Sequence, residues 1–220
     1  MTRTAGEVLV DTTVRLAPDP DANPLLPLIA SGTAGLGTLG ALAMEQQLVI
    51  AADLLSFRHL AERSAAEEPT SAPFFEMLAE GEAVAAGRLG AFAEACGVDE
   101  QRVAAYEPLP GCQAYPSYVA RLALGASPAD VVLALSANFA SWGGYCATIA
   151  KALRDHYAFT DEACGFFDFF ADPAPELEER ARTAVQAGLD TGRIDEEAAH
   201  GHGRLLQSYE SMFWTTLARP

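Results

Sequence analysis

Several polar side chains stand where a helical wheel expects apolar ones. Wound at about 100° per residue, the C-terminal stretch puts Glu210 on one stripe with Leu206, Phe213 and Leu217. Asn138 falls among Val131, Leu135, Trp142, Tyr145 and Ile149. Gln46 and Asp53 share a stripe with Leu42, Val49, Phe57 and Leu60, and Glu82 lies with Leu78, Ala85, Leu89 and Phe92. His202 lies two turns before Glu210, close to the same face. Any one of these is an ordinary hydrogen-bonded core residue. Four helices each turning a polar group inward point instead to an internal pocket, which is how helix bundles build ligand and metal sites. Carboxyl groups there suit proton transfer, and amides suit hydrogen-bonded selection of a ring. Tyr115, Trp142, the cluster Phe166, Phe167, Phe169 and Phe170, and the run Tyr209, Phe213 and Trp214 offer walls for a flat ligand.

The elements that must hold these groups are helices. Long Ala/Leu/Glu-rich segments alternate with short Gly/Pro/Asp punctuation, and no run shows strict two-residue alternation. The pattern predicts helices near 4–16, 36–65, 73–96, 116–124, 128–155, 160–171, 174–188 and 193–217, with a short turn near 24–30. The stretch from Asp99 to Tyr115 reads as a helical turn and loop, with the next helix starting at Pro116. Ser127 is the expected N-cap of the following helix, with Pro128 in its first position and Asp130 in its first turn. No repeat and no linker interrupts the chain, so 1–220 is expected to be one all-α domain with a central pocket.

The totals exclude several functions. The 220 residues carry 14 Lys+Arg against 30 Asp+Glu, a formal net charge of −16. No basic stripe overrules that total, so no nucleic-acid partner and no membrane partner is expected. The N-terminus lacks a signal-type apolar region and no apolar run reaches spanning length, which predicts a cytoplasmic protein. Cys96, Cys112, Cys146 and Cys164 form no C-x-x-C pair and read as reduced, mostly buried small hydrophobes.

Four stretches together resemble the thiaminase II (TenA) family, whose fold is the haem-oxygenase-like helical bundle. They are "NPLLPLIASGTAGLGTLGALAMEQQ" (23–47), "LPGCQAYPSYV" (109–119), "VVLALSANFASWGGY" (131–145) and the closing "SYESMFW" (208–214). The resemblance implies a pocket for the aminopyrimidine half of thiamin or a similar flat small molecule, with no cofactor and no metal. It puts Glu210 at the family's closing acid–base glutamate and Tyr115 at the tyrosine that follows an alanine. The nucleophilic cysteine falls on Asn138, the ring-holding aspartate on Gln46, and the tyrosine three residues later on Val49. The tyrosine four after the cysteine becomes Trp142, and the tyrosine of a W-x-x-x-Y pattern becomes Phe170, with Phe166 in the tryptophan's place. Phe213 belongs to the closing motif.

The resemblance thus describes a member without the cysteine. It implies a small-molecule partner and a homo-oligomer, a dimer or tetramer, to which Met44, Leu48 and Leu55 on the second face of their helix would contribute. Glu82, on its wheel position alone, is the candidate second carboxylate beside Glu210 for cysteine-free hydrolysis. Two other classes stand beside this reading. One is a binding protein without catalysis. The other is a haem-oxygenase-like non-haem metal oxygenase, with Asp53, Glu82, His202 and Glu210 as ligands, helped by Glu196 and His200. The presence of only four histidines weighs against the metal.

Overall fold

The computed structural model describes residues 3–219, which form ten helices and no strand. They are α1 (Ala5–Arg15), α2 (Leu25–Ala30), α3 (Leu36–Glu67), α4 (Ala72–Ala95), α5 (Glu100–Ala104), α6 (Pro110–Gly125), α7 (Pro128–Tyr157), α8 (Asp161–Ala171), α9 (Pro175–Thr191) and α10 (Glu196–Leu217). Local chemistry sets most boundaries. Thr4 and Glu7 close a capping box on α1, and the Thr160 and Asp195 side chains cap α8 and α10. Prolines occupy the first turns of α4, α6, α7 and α9, where a missing N–H costs nothing. Gly192, at φ 67°, ends α9 in the left-handed conformation.

One cap and one boundary depend on long-range carboxylates: the start of α7 falls where expected but is capped from elsewhere, and the start of α6 lies earlier than expected. Ser127 is the N-cap residue of α7, but its side chain does not cap. Glu68, just past α3, takes that role: it accepts from the Ala129 N–H at 2.9 Å and from the Ser127 hydroxyl at 3.2 Å. A carboxylate is well placed at a helix N-terminus, where the unpaired N–H groups and the dipole both favour it. The second case is at α6, which begins at Pro110 and carries Pro116 in its interior. The fully buried Glu45 of α3 holds this start. It accepts from the Leu109 N–H (2.7 Å), the Tyr106 hydroxyl (2.6 Å) and the Gln113 amide (2.6 Å). That contact spans more than sixty residues, so no local pattern announces it.

Six helices pack in a closed cycle: α3 on α4, α4 on α8, α8 on α7, α7 on α10, α10 on α6, and α6 back on α3. Around this ring α1 and α9 lie on α7, while α2 bridges α7 and α10. Two clusters of buried apolar residues fill the two ends, and Tyr115 packs against both. Gly143 permits the tight α7–α8 approach, since a Cβ there would meet the Phe170 carbonyl at 3.1 Å. By length and composition α3 is apolar enough to cross a membrane. Half of that apolar window is nevertheless buried inside the protein, and the helix carries the buried Glu45, Gln46 and Asp53.

Truncating Glu45 to Ala strands three donors that its carboxylate satisfies. The expected loss is on the order of 2–4 kcal/mol of unfolding free energy by urea titration. Hydrogen exchange should increase first at Leu109 and along the first turn of α6, and an unchanged exchange pattern there would refute the anchoring role.

Candidate functional site

The six-helix ring encloses a cavity of about 70 Å³. Every ring helix contributes to its lining: Gln46, Val49, Ile50 and Asp53 from α3, Glu82 from α4, Tyr115 from α6, and Asn138, Phe139 and Trp142 from α7. Phe170 of α8 and Glu210, Phe213 and Trp214 of α10 complete it. That volume has room for a few waters or a small ring. None of these residues is Lys, Arg or His.

A chain of hydrogen bonds runs along one wall. The Tyr115 hydroxyl donates to Asn138 Oδ1 at 2.9 Å, and Asn138 Nδ2 donates to Glu210 Oε2 at 2.6 Å. The Trp214 indole N–H reaches the other Glu210 oxygen at 3.3 Å. An ionised carboxylate only accepts, so it fixes which way the Asn138 amide points. Burial pushes the Glu210 carboxyl up to about 7, although the hydrogen bonds from Trp214 and Asn138 favour the charged form and oppose the rise. Burial, followed by the nearby Asp53, Glu210 and Glu82 charges, also raises the Tyr115 phenol, which stays a donor.

Asp53 and Glu82 face the same cavity as neighbouring acids. Burial, and secondly the Glu82 charge, holds the Asp53 carboxyl well above its usual range. Burial brings Glu82 to about 8. Glu82 is only half-buried and lines the cavity. Gln46 is buried on the same wall as Asp53. Aromatic faces close the space: Trp142 stacks on Trp214 with centroids 5.9 Å apart and meets Phe170 edge-on at 5.6 Å, while Phe213 meets Trp214 edge-on at 5.1 Å.

A family model described as TENA/THI-4/PQQC family matches residues 63–219. The chain belongs to that family. Its fold is therefore the family's haem-oxygenase-like helical bundle, as the ten-helix architecture also reads. Among curated proteins none matches the chain with significance. The matched residues contain α4 to α10 and so Glu82, Tyr115, Asn138, Trp142, Phe170, Glu210 and Phe213. Gln46, Val49 and Asp53, and the stretch 23–47, lie outside the match.

The family member's nine candidate residues from the sequence, Glu210, Tyr115, Glu82, Gln46, Val49, Asn138, Trp142, Phe170 and Phe213, all line this one cavity. Other candidates lie elsewhere. His202 is eight residues before Glu210, about 80° round the helix, and its Nδ1 lies 3.0 Å from the Tyr118 hydroxyl. Tyr209 packs on Tyr118, and Phe166 and Phe167 are fully buried behind the wall. Phe169 lies under the Arg88 guanidinium at 5.1 Å. His200, four residues after Glu196, is paired with Thr12 at 2.9 Å, while Glu196 accepts from Arg3. Among the described residues no group of three or more His, Cys, Asp or Glu is arranged to hold a metal ion. All four cysteines are free and buried, and burial raises the Cys146 thiol well above its usual value. Ile50 and Phe139 are lining residues that the sequence reading omits. Ile50, four after Gln46, carried a usable helical signal, whereas Phe139 beside Asn138 carried none.

The raised acids determine a pH dependence. Folded Glu82 and Glu210 hold protons that the unfolded chain releases near 4.5, so the stability they confer is complete below that value and is lost as pH rises through about 7 to 8. Urea midpoints should therefore fall between pH 5 and pH 8.5. Glu82→Gln should flatten the fall, gaining on the order of 1–2 kcal/mol over the parent at pH 8.5 and little at pH 5. Parallel profiles for the two proteins would show that Glu82 ionises normally.

Proposed function

We propose that this protein binds a thiamin-related aminopyrimidine, or a similar flat amine-bearing base, and hydrolyses its exocyclic carbon–nitrogen bond without a cysteine nucleophile. The observation that carries the reading is the Tyr115–Asn138–Glu210 hydrogen-bonded chain set into an aromatic cavity that also holds the Glu82 carboxyl. The ring lies among Trp142, Phe170 and Phe213, and Gln46 pairs with it as a neutral amide. A carboxyl near 7 is matched to proton transfer at neutral pH. Ionised Glu210 takes a proton from water as the water oxygen bonds to carbon. The amine enters as the ammonium, held against the Glu82 carboxyl, so the carbon–nitrogen bond breaks with the nitrogen already protonated and ammonia is released. Tyr115 positions Asn138, and Asn138 orients the Glu210 carboxylate. Asn138 lacks the thiolate that covalent catalysis needs, so water attacks directly.

A second reading, binding without turnover, is favoured by one observation: both Glu210 oxygens are already engaged, by Asn138 and Trp214. We also infer a dimer or tetramer from the family. The apolar face on offer is narrower than the sequence implies, because Met44 is buried in its own subunit while Leu55 remains 67% exposed.

Incubation with the aminomethyl pyrimidine should yield the hydroxymethyl product and one ammonia per turnover. Glu210→Gln should lower kcat by a factor on the order of 100 or more, with KM little changed. A raised melting temperature with the same pyrimidine, but no product, would replace hydrolysis by the binding reading.

A further inference from the structure

Asp53 and Glu82 differ from every other buried acid in the molecule. Glu45 has three donors and Glu210 has two, whereas Asp53, only 4% exposed, keeps its Oδ1 enclosed with no partner at all. Half-buried Glu82 stands beside it in the cavity lining. Leaving such groups unpaired is costly unless a proton or a ligand completes them. Both line the cavity, on the α3 and α4 wall, while α6, α7 and α10 supply the Tyr115–Asn138–Glu210 chain.

We propose that Asp53 and Glu82 form an ammonium subsite that holds the ligand's amine and selects basic amines over hydroxyl or acylated equivalents. The inference rests on the proposed reading of the cavity as a site for a flat base, and adds Asp53 as a specificity-determining residue. An ammonium presents three donors on a compact cation, which suits two carboxyl groups with unfilled acceptors. A hydroxyl offers one donor and an acylated nitrogen carries no charge, so either leaves acceptors empty. An anion meets three acids and no base in the lining. Nor do the described residues offer the third ligand that a metal would require.

The test is calorimetric binding of two matched pairs to the full chain. Benzylamine against benzyl alcohol is measured on the unaltered protein, and the aminomethyl against the hydroxymethyl pyrimidine on Glu210→Gln, where turnover is blocked. The amine of each pair should bind roughly tenfold more tightly. Asp53→Asn and Glu82→Gln, separately and together, should erase that preference while leaving the alcohols within about twofold. Both substitutions conserve volume, and melting curves check that each variant is folded. An absent ammonium preference in both pairs, or one that survives the double substitution, overturns the subsite. If benzylamine shows the preference and neither pyrimidine binds, the subsite stands and the pyrimidine reading falls.

Discussion

A carboxyl group withdrawn from water needs donors, a counter-charge or a proton, and the helices of this bundle meet around acids that have no counter-charge. Glu45 is satisfied by three donors from one loop and the start of α6, and in taking them it fixes where that helix begins. Tyr115 sits on the second turn of α6 and reaches Asn138 from there. Asn138 in turn meets Glu210. One buried acid on α3 thus sets the position from which a second acid, on α10, is oriented. Asn138 and Glu210 are both buried, and low local polarity strengthens each link and raises the cost of breaking one.

The parts of the fold legible in the sequence are those that local chemistry decides. Thr160 and Asp195, prolines in first turns and Gly192 after α9 mark their boundaries through contacts a few residues long. Ser127 was legible as the N-cap position of α7, but the start of α6 and the part Glu68 plays at α7 were not, because Glu45 and Glu68 act across more than sixty positions. The cavity lining was readable for the same reason the helices were: an amide or carboxyl on an apolar stripe is an exception to a strong pattern. Periodicity alone could not place His202. An offset of about 80° in eight residues is enough to turn it from the cavity to Tyr118. The wheel likewise gave Phe166 and Phe167 no depth, and they lie behind the wall rather than on it.

Family membership and the cavity's residues pull in different directions, and the difference is physical. The resemblance puts a cysteine at position 138 and an aspartate at 46, and this chain has amides at both. Amides keep hydrogen-bonding geometry and give up charge and nucleophilicity. Asn138 shows what is retained, since it joins Tyr115 to Glu210 through one donor and one acceptor. What is given up on α3 is a negative charge at Gln46.

A carboxyl group does stand on the same helix, two turns further along, at Asp53. Seven residues return nearly to the same face of an α-helix and advance it by roughly 10 Å, and Gln46 and Asp53 both line the cavity. The α3 wall therefore presents a neutral amide at one level and an acid at another, with Glu82 of α4 beside that acid. The proposed ligand would then bring its neutral hydrogen-bonding edge and its cationic group in the same order. On the proposed reading, an acid two turns along the helix from Gln46 lets the cavity take a cationic group while changing which part of the ligand must carry the charge.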